Sequence, residues 1–297
     1  MVYWKWNPYA AIIICLLTGL VLGAWQAFWI AFVHIPSFIV TLAGMLIFRG
    51  IAWTVMQGRT ISPFPDDFKR LFRNYIPGPT LSAGIISITA AMIICAAVVL
   101  LSIYFRIQKI RKKYEVENNW YMVVKLILIC GAIMAAFSRL GLDKGIPIVL
   151  APLTVLVLFY NYYIKNTVPG RHLCAMGGNE QATRLSGIDT SRTLFFVYTN
   201  MGVLSAVAAL ICVSDLSSGA PNTGNMFELE AISSCFIGGA SVYGGVGTVG
   251  GTVIGAIFMG VLNNGLSILG IGIDWQRTVK GLVLLLALIN SRGRTQG

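Results

Sequence analysis

Long apolar runs, each about the length that crosses a lipid bilayer as a helix, recur along nearly the whole sequence. A hydrocarbon core about 30 Å thick takes about 20 helical residues. Seven runs fit that length: Tyr9 to Val33, Pro36 to Met56, Thr80 to Phe105, Trp120 to Ser138, Ile146 to Ile164, Thr193 to Ser214 and Thr248 to Ile271. An eighth, Gln276 to Asn290, is shorter but contains the apolar string GLVLLLALI. A ninth, Glu228 to Tyr243, is too short to cross comfortably and glycines follow it at once, the pattern of a half-helix or a broken one. Backbone polar groups in lipid must be satisfied within the segment that carries them, so the fold class is all-α: a polytopic helical membrane protein of about eight to nine spans. Composition agrees, because 56% of the 297 residues are hydrophobic and 11% are charged, against about 25% charged in a soluble domain.

The formal charge of +11 would suggest nucleic acid on a soluble domain. Here the basic residues cluster between apolar runs, where the retention of Lys and Arg on the cytoplasmic side explains them without a nucleic-acid partner. Arg106 to Asn119 holds Arg106, Lys109, Arg111, Lys112 and Lys113, and Lys165 to Arg192 holds Lys165, Arg171, Arg184 and Arg192; both read as cytoplasmic. The tail after Asn290, with Arg292 and Arg294, also reads as cytoplasmic, whereas Asp215 to Glu230 is acidic, lacks Lys and Arg, and reads as outside. Parity then makes the short Glu228 segment a crossing and puts both Met1 and Gln57 to Pro79 outside, although the latter holds Arg59, Lys69, Arg70 and Arg73. The first run follows only MVYWKWNP, is longer than a signal-peptide core and has no clear small-residue cleavage site after it, so it reads as a span.

Lipid gives apolar helices no hydrophobic reason to associate, so small residues that allow close backbone approach have to do that work. Gly19, Gly23 and Ala27 form one such ridge and Gly247, Gly251 and Gly255 another. Each is read as a packing surface, with a sliding surface for conformational change as the alternative. Gly245, Gly247 and Gly250 match GxGxxG, but no βαβ unit surrounds them and the match is accidental. The chain has no GxxxxGK followed by Ser or Thr, so it has no P-loop ATPase site. His34 and His172 lack partners for metal or catalysis, and no catalytic or metal-ligating set is expected. Cys15, Cys95, Cys130 and Cys212 lie in apolar runs and read as small buried hydrophobes.

Polar groups inside spans tend to face a helical interior or a wet cavity. Thr41, Arg49, Asn200, Asn263 and Asn264 are therefore candidates for a translocation pathway, with interhelical hydrogen bonding as the plainer reading of the asparagines. Amides, together with rings such as Trp25 and Trp29, would suit an uncharged substrate rich in hydroxyls. Lys125, beside Trp120 and Tyr121, is expected to reach the interface. No chain of Asp, Glu or His runs through the spans, which counts against a proton-driven carrier.

The most distinctive stretch is Gly170 to Arg192, GRHLCAMGGNEQATRLSGIDTSR. Asn179 can cap a short helix, Glu180 favours its positive end, Arg184 and Leu185 occupy its last turn and Gly187 suits the left-handed position after it. Asp189 can cap the next span. A linker needs no such caps, so the segment reads as a docking knob.

At these residues the chain resembles the membrane permeases of bacterial ATP-binding-cassette importers for simple sugars, the ribose and xylose type. The resemblance covers nearly the whole chain and is carried by IPSFIVTLAGMLIFRG (Ile35 to Gly50), GRHLCAMGGNEQATRLSGI (Gly170 to Ile188), ELEAISSCFIGGASVYGGVGTVGGTVIGA (Glu228 to Ala256) and WQRTVKGLVLLLAL (Trp275 to Leu288). The first two look closest to xylose permeases. The resemblance implies one transmembrane permease domain over 1–297, a coupling loop at 165–192 that inserts into a cleft on a separate ATPase, and coupling roles for Gly178, Asn179, Glu180, Ala182, Arg184, Leu185 and Gly187. It also implies a second permease copy, two ATPases inside, a sugar-binding protein outside, and a bacterial cytoplasmic membrane with the C-terminus in the cytoplasm. No cofactor is expected on this chain, ATP and Mg belonging to the partner ATPase. Members of the family usually have further sequence before the equivalent of Tyr9, including early spans, that this chain is expected to lack. The rival expectations are a passive channel or secondary carrier and a nonfunctional truncated permease.

Overall fold

Asn7 and Pro8 start the first helix for separate reasons. In the computed structural model the Asn7 side chain accepts from the Tyr9 amide at 3.0 Å, while Pro8 occupies a first-turn position where no amide donor is needed. The resulting α1 (Pro8–Ala31) is about 36 Å long at the helical rise, enough to cross a bilayer. The structure describes residues 1–2, 6–76, 119–142, 145–242 and 244–293, with isolated positions 89, 91, 92, 95, 96 and 99. Apart from those positions, the expected span Thr80 to Phe105 lies outside the described residues. So do the basic loop residues 106–118, Tyr243 and Arg294.

Along the chain follow α2 (Ser37–Met56), α3 (Asp66–Arg73), β1 (Tyr75–Ile76), α4 (Asn119–Leu142), β2 (Ile146–Pro147), α5 (Leu150–Asn166), α6 (Val168–Gly178), α7 (Glu180–Leu185), α8 (Thr190–Leu216), α9 (Phe227–Ile237), α10 (Val249–Ile268) and α11 (Ile273–Gly293). Each expected span that falls on described residues holds a helix, and three boundaries differ for local reasons. α5 begins at Leu150 rather than Ile146, because Pro147 disfavours helical geometry at Ile146 and the pair forms strand β2 instead. α9 stops at Ile237, where Gly238 ends it and Gly239 turns left-handed at φ +89°. α11 starts earlier than expected, and the Gln276 side chain donates back to the Ile271 carbonyl at 2.8 Å across its entry turn.

Four described helices, α1, α2, α8 and α10, are long and apolar enough to cross a membrane. Only 11% of the most apolar stretch of each is buried within the chain, so most of their apolar surface is left for lipid. The six cysteines are free, and Cys15, Cys95, Cys130 and Cys212 are half-buried rather than enclosed as expected.

The chain forms two compact units, one made of Met1–Pro65 with Leu153–Gly297 and the other of Asp66–Pro152. In the larger unit α1 packs chiefly on α8, and the ridge Gly19, Gly23, Ala27 is the contact. A Cβ on Gly19 would stand 2.6 Å from the Ala206 Cβ and 2.7 Å from the Gly202 carbonyl oxygen, and one on Gly202 would stand 2.7 Å from the Gly23 Cα. The absent side chains let the two backbones meet, so dispersion acts across a close interface where lipid supplies no drive. Around it lie the buried Ala27, Ile30, Ala31, Ala206 and Leu210. The second ridge works in the same way. Gly251 meets the Gly238 carbonyl and Gly255 the Ser234 carbonyl, which seats α10 on α9.

These contacts fix which helix ends lie together. Cys15 sits against the Ala206 carbonyl and Phe32 against Phe195, so α1 and α8 are antiparallel and Met1 lies at the Leu216 end. At that same end Ile61 and Gly219 form an isolated antiparallel bridge, exchanging hydrogen bonds of 2.8 and 3.0 Å. The first residues after α2 thus lie on the side of the acidic segment 215–230.

In the smaller unit, α3 carries Asp66 and Asp67 in its first turn and Arg70 and Arg73 in its last, the arrangement that complements its dipole, and buries Phe68 against Phe72. Lys69 donates to Asp66 at 3.0 Å, and that hydrogen bond with its charge holds the carboxyl below the usual range. β1 and β2 pair antiparallel, Tyr75 opposite Pro147 and Ile76 opposite Ile146.

Two outcomes are expected. Gly202→Val should destabilise the detergent-solubilised protein by about 1–3 kcal/mol through overpacking, seen as a lower midpoint in a thermal unfolding scan, whereas Gly50→Val, with nothing near its Cβ position, should not. In a background free of the native cysteines, Ile61→Cys with Gly219→Cys should form an intramolecular disulfide on oxidation, because a hydrogen-bonded antiparallel pair has Cα atoms about 5.5 Å apart. Peptide mass spectrometry would detect the link.

Candidate functional site

The segment between α5 and α8 is built as two consecutive capped helices. Thr167 accepts from the Gly170 amide at 3.2 Å and Pro169 lies in the first turn, which starts α6. The expectation placed no helix before Asn179, although Thr167 followed by Val168 and Pro169 is an N-terminal signal that would have shown it. Asn179 ends α6 and starts α7: its amide donates to the Ala175 carbonyl at 3.0 Å, while its side chain accepts from the Ala182 amide at 2.9 Å. Glu180 occupies the first turn of α7 and Arg184 the last. Gly187 follows at φ +84°, with its amide donating to the Arg184 carbonyl at 3.0 Å. Asp189 then caps α8 by accepting from the Arg192 amide at 3.0 Å, and its carboxylate pairs with the Arg192 guanidinium.

The knob has an inner and an outer side. Thr183 is buried and its hydroxyl donates to the Asn179 carbonyl at 2.8 Å, and Thr190 is buried at the start of α8. Gly178, Asn179, Glu180, Ala182, Arg184, Leu185 and Gly187 are all exposed. Leu185 is 89% exposed, so an apolar side chain stands in solvent at the tip of a capped helix. The structure therefore gathers every one of the seven expected coupling residues onto one small exposed element.

The expected pathway residues are less uniform. Thr41 uses its hydroxyl on the Ser37 and Phe38 carbonyls of its own helix, at 2.9 and 3.1 Å. Asn200 accepts from the Tyr160 hydroxyl at 2.7 Å, which ties α5 to α8. Arg49 pairs with Glu228 at 3.0 Å, which ties α2 to α9. Asn263 has a buried side-chain oxygen without a partner, and Asn264, one residue on, is exposed on another face of α10. Trp25 meets Trp29 and Phe48 edge-on at centroid distances of 6.1 and 5.6 Å, and the buried Trp29 indole N–H has no acceptor.

Three charged residues here escaped expectation. Glu230 on α9 is joined to Lys280 on α11 at 2.5 Å, and Glu228 beside it holds Arg49. Both acids stood at the edge of the acidic segment that reads as outside, where the short Glu228 crossing begins. Lys280 stood inside an apolar run, where an isolated charge is unfavourable and calls for a partner of opposite sign; that was the available signal. Arg49 and Lys280 each lie about 10 Å from the helix end nearest the 215–230 side. The start of α9 is therefore recessed and pinned from two neighbouring helices.

The sequence profile of the family described as branched-chain amino acid transport system, permease component, matches residues 1–288. The chain belongs to that family. It is 38% identical to the xylose transport system permease protein XylH of Escherichia coli (strain K12) over 287 residues, which is 97% of this chain and 72% of XylH. The corresponding XylH of Haemophilus influenzae is equally similar, with 75% of its length covered. The ribose import permease protein RbsC of Escherichia coli (strain K12) is 41% identical over 150 residues, half of this chain and 47% of RbsC. No solved structure matches significantly.

Removing the cap should loosen the knob. Asn179→Ala should weaken α7 by about 1 kcal/mol, speeding amide exchange at Ala182 and Thr183 about fivefold, while Asn179→Asp should leave it unchanged. Hydrogen–deuterium exchange mass spectrometry of the peptide spanning α7 reads this directly.

Proposed function

We propose that the chain is the membrane subunit of an ATP-binding-cassette importer that carries a pentose, xylose or a close relative of it, across the bacterial cytoplasmic membrane. The observation that carries this reading is 38% identity with XylH across 97% of the chain. The family description refers to amino acids, but the names of XylH and RbsC both refer to pentose transport. The pathway candidates favour the sugar, since they are amides, a hydroxyl and one arginine already neutralised by Glu228.

In this reading α7 inserts into a partner ATPase with Leu185 as its apolar anchor and Glu180 and Arg184 as flanking charges. The basic residues place α7 and the C-terminus in the cytoplasm, and the Ile61–Gly219 bridge then faces a sugar-binding protein outside. A second copy of the permease completes the pathway, and ATP with its Mg is bound only by the ATPase. Asn263 and Asn264 offer the sugar free polar groups, whereas Thr41, Arg49 and Asn200 contribute after giving up partners inside the fold.

Reconstitution in liposomes with the matching ATPase and binding protein tests this. ATP-dependent accumulation of labelled xylose is expected, with ribose carried less well and leucine not at all. Reversal of both Glu180→Arg and Arg184→Glu should abolish binding of the ATPase. Leucine uptake in place of xylose would overturn the substrate, and equal xylose flux without ATPase would favour a passive channel.

A further inference from the structure

We propose that α7 drives the half-helix α9 directly, through a backbone contact between Gly177–Gly178 and Gly244–Gly245, and not only through α8, which follows it in sequence. The proposal rests on the reading of α7 as the element moved by an ATPase.

Gly177 and Gly178 are the last two residues of α6, immediately before Asn179, which caps α7. A Cβ on Gly177 would meet the Gly245 amide nitrogen at 2.5 Å, one on Gly244 would meet the Gly177 carbonyl oxygen at 2.5 Å, and one on Gly245 would lie 3.0 Å from the Gly178 Cα. The two main chains are thus in contact with no side chain between them. Gly244 and Gly245 are both left-handed, at φ +86° and +76°, so the same positions require glycine for their own turn. Side chains can rotate away from a push, but two backbones in contact cannot, so movement of the start of α7 displaces the Gly244–Gly245 turn.

That turn leads back into α9 through a short, hydrogen-bonded path. The Ser241 amide donates to the Val246 carbonyl at 2.9 Å, the Gly244 amide to the Ser241 carbonyl at 3.2 Å, and the Ala240 amide to the Cys235 carbonyl at 3.0 Å. α9 spans about 16 Å, and at its other end Glu228 and Glu230 are held by Arg49 and Lys280. The turn that follows one end of α9 therefore touches the segment just before α7, and the other end of α9 carries two ion pairs to α2 and α11. A push at the glycines tilts or slides α9 and loads those pairs, and releasing them frees two carboxylates and two cations beside the pathway candidates.

Gly131 on α4 supplies the control. Its Cβ position has nothing within 4 Å, so Gly131→Ala is tolerated, whereas Gly177→Ala forces the two backbones apart. The experiment uses the full transporter in liposomes, with the permease freed of native cysteines and carrying Leu229→Cys, an exposed position on α9 beside Glu228. Its labelling rate with a maleimide is measured with and without a nonhydrolysable ATP analogue on the ATPase. Nucleotide should change the rate about fivefold or more. Gly177→Ala should remove that change and lower sugar uptake per ATP by a similar factor, with ATPase binding intact, while Gly131→Ala behaves as wild type. Normal uptake and a normal nucleotide response in Gly177→Ala would overturn the proposal. So would a Leu229→Cys rate that ignores nucleotide in the otherwise wild-type transporter, a result that decides the matter even if Gly177→Ala does not fold. Failure of the underlying reading is seen separately, as ATPase binding that survives reversal of Glu180 and Arg184.

Discussion

Direct contact between main chains, made possible where glycine carries no side chain, is the interaction on which the larger unit depends. Between apolar helices in lipid the hydrophobic effect has nothing to gain, so cohesion comes from dispersion across close surfaces and from the few polar pairs available. Gly19, Gly23 and Gly202 supply the first kind between α1 and α8, and Gly251 and Gly255 supply it between α10 and α9. Tyr160 with Asn200, Arg49 with Glu228 and Lys280 with Glu230 supply the second. The rest of the apolar surface is left to the solvent that suits it.

Those two kinds of contact divide the labour. Glycine ridges set distance and direction but tolerate small shifts along the ridge, because no side chain interlocks. The ion pairs set register, because a guanidinium or ammonium in a medium of low polarity has few alternatives to the carboxylate it holds. Among the described residues α9 is the one helix served by both, with α10 along its small-residue face and charges from α2 and α11 at its start. That double attachment explains how an 11-residue helix keeps its place among neighbours twice its length.

Much of this was legible from local chemistry. A run such as Thr193 to Ser214 is helical whatever surrounds it, since lipid leaves its backbone no other partner. The caps on α7 and at the start of α8 were equally local: Asn179, Gly187 and Asp189 act on amides and carbonyls within a few residues, and each does what its chemistry suggests. The partnerships between distant segments were not legible. Nothing near Glu230 indicates Lys280, 50 residues away, and nothing near Gly177 indicates Gly245, because such pairings are decided by how helices pack rather than by periodicity. α6 was a different kind of omission, its Thr167 and Pro169 signal being present but passed over beside the stronger one at Asn179.

The short reach of α9 alters what a solute would meet beside it. An insulating layer about 30 Å thick is about twice the length of this 11-residue helix, and the chain beyond it runs on as bent main chain. A hydroxylated molecule travelling along that element would shed its hydration over a correspondingly shorter distance. In a pathway lined by that element the dielectric barrier would be thinner than beside a full-length span such as α1.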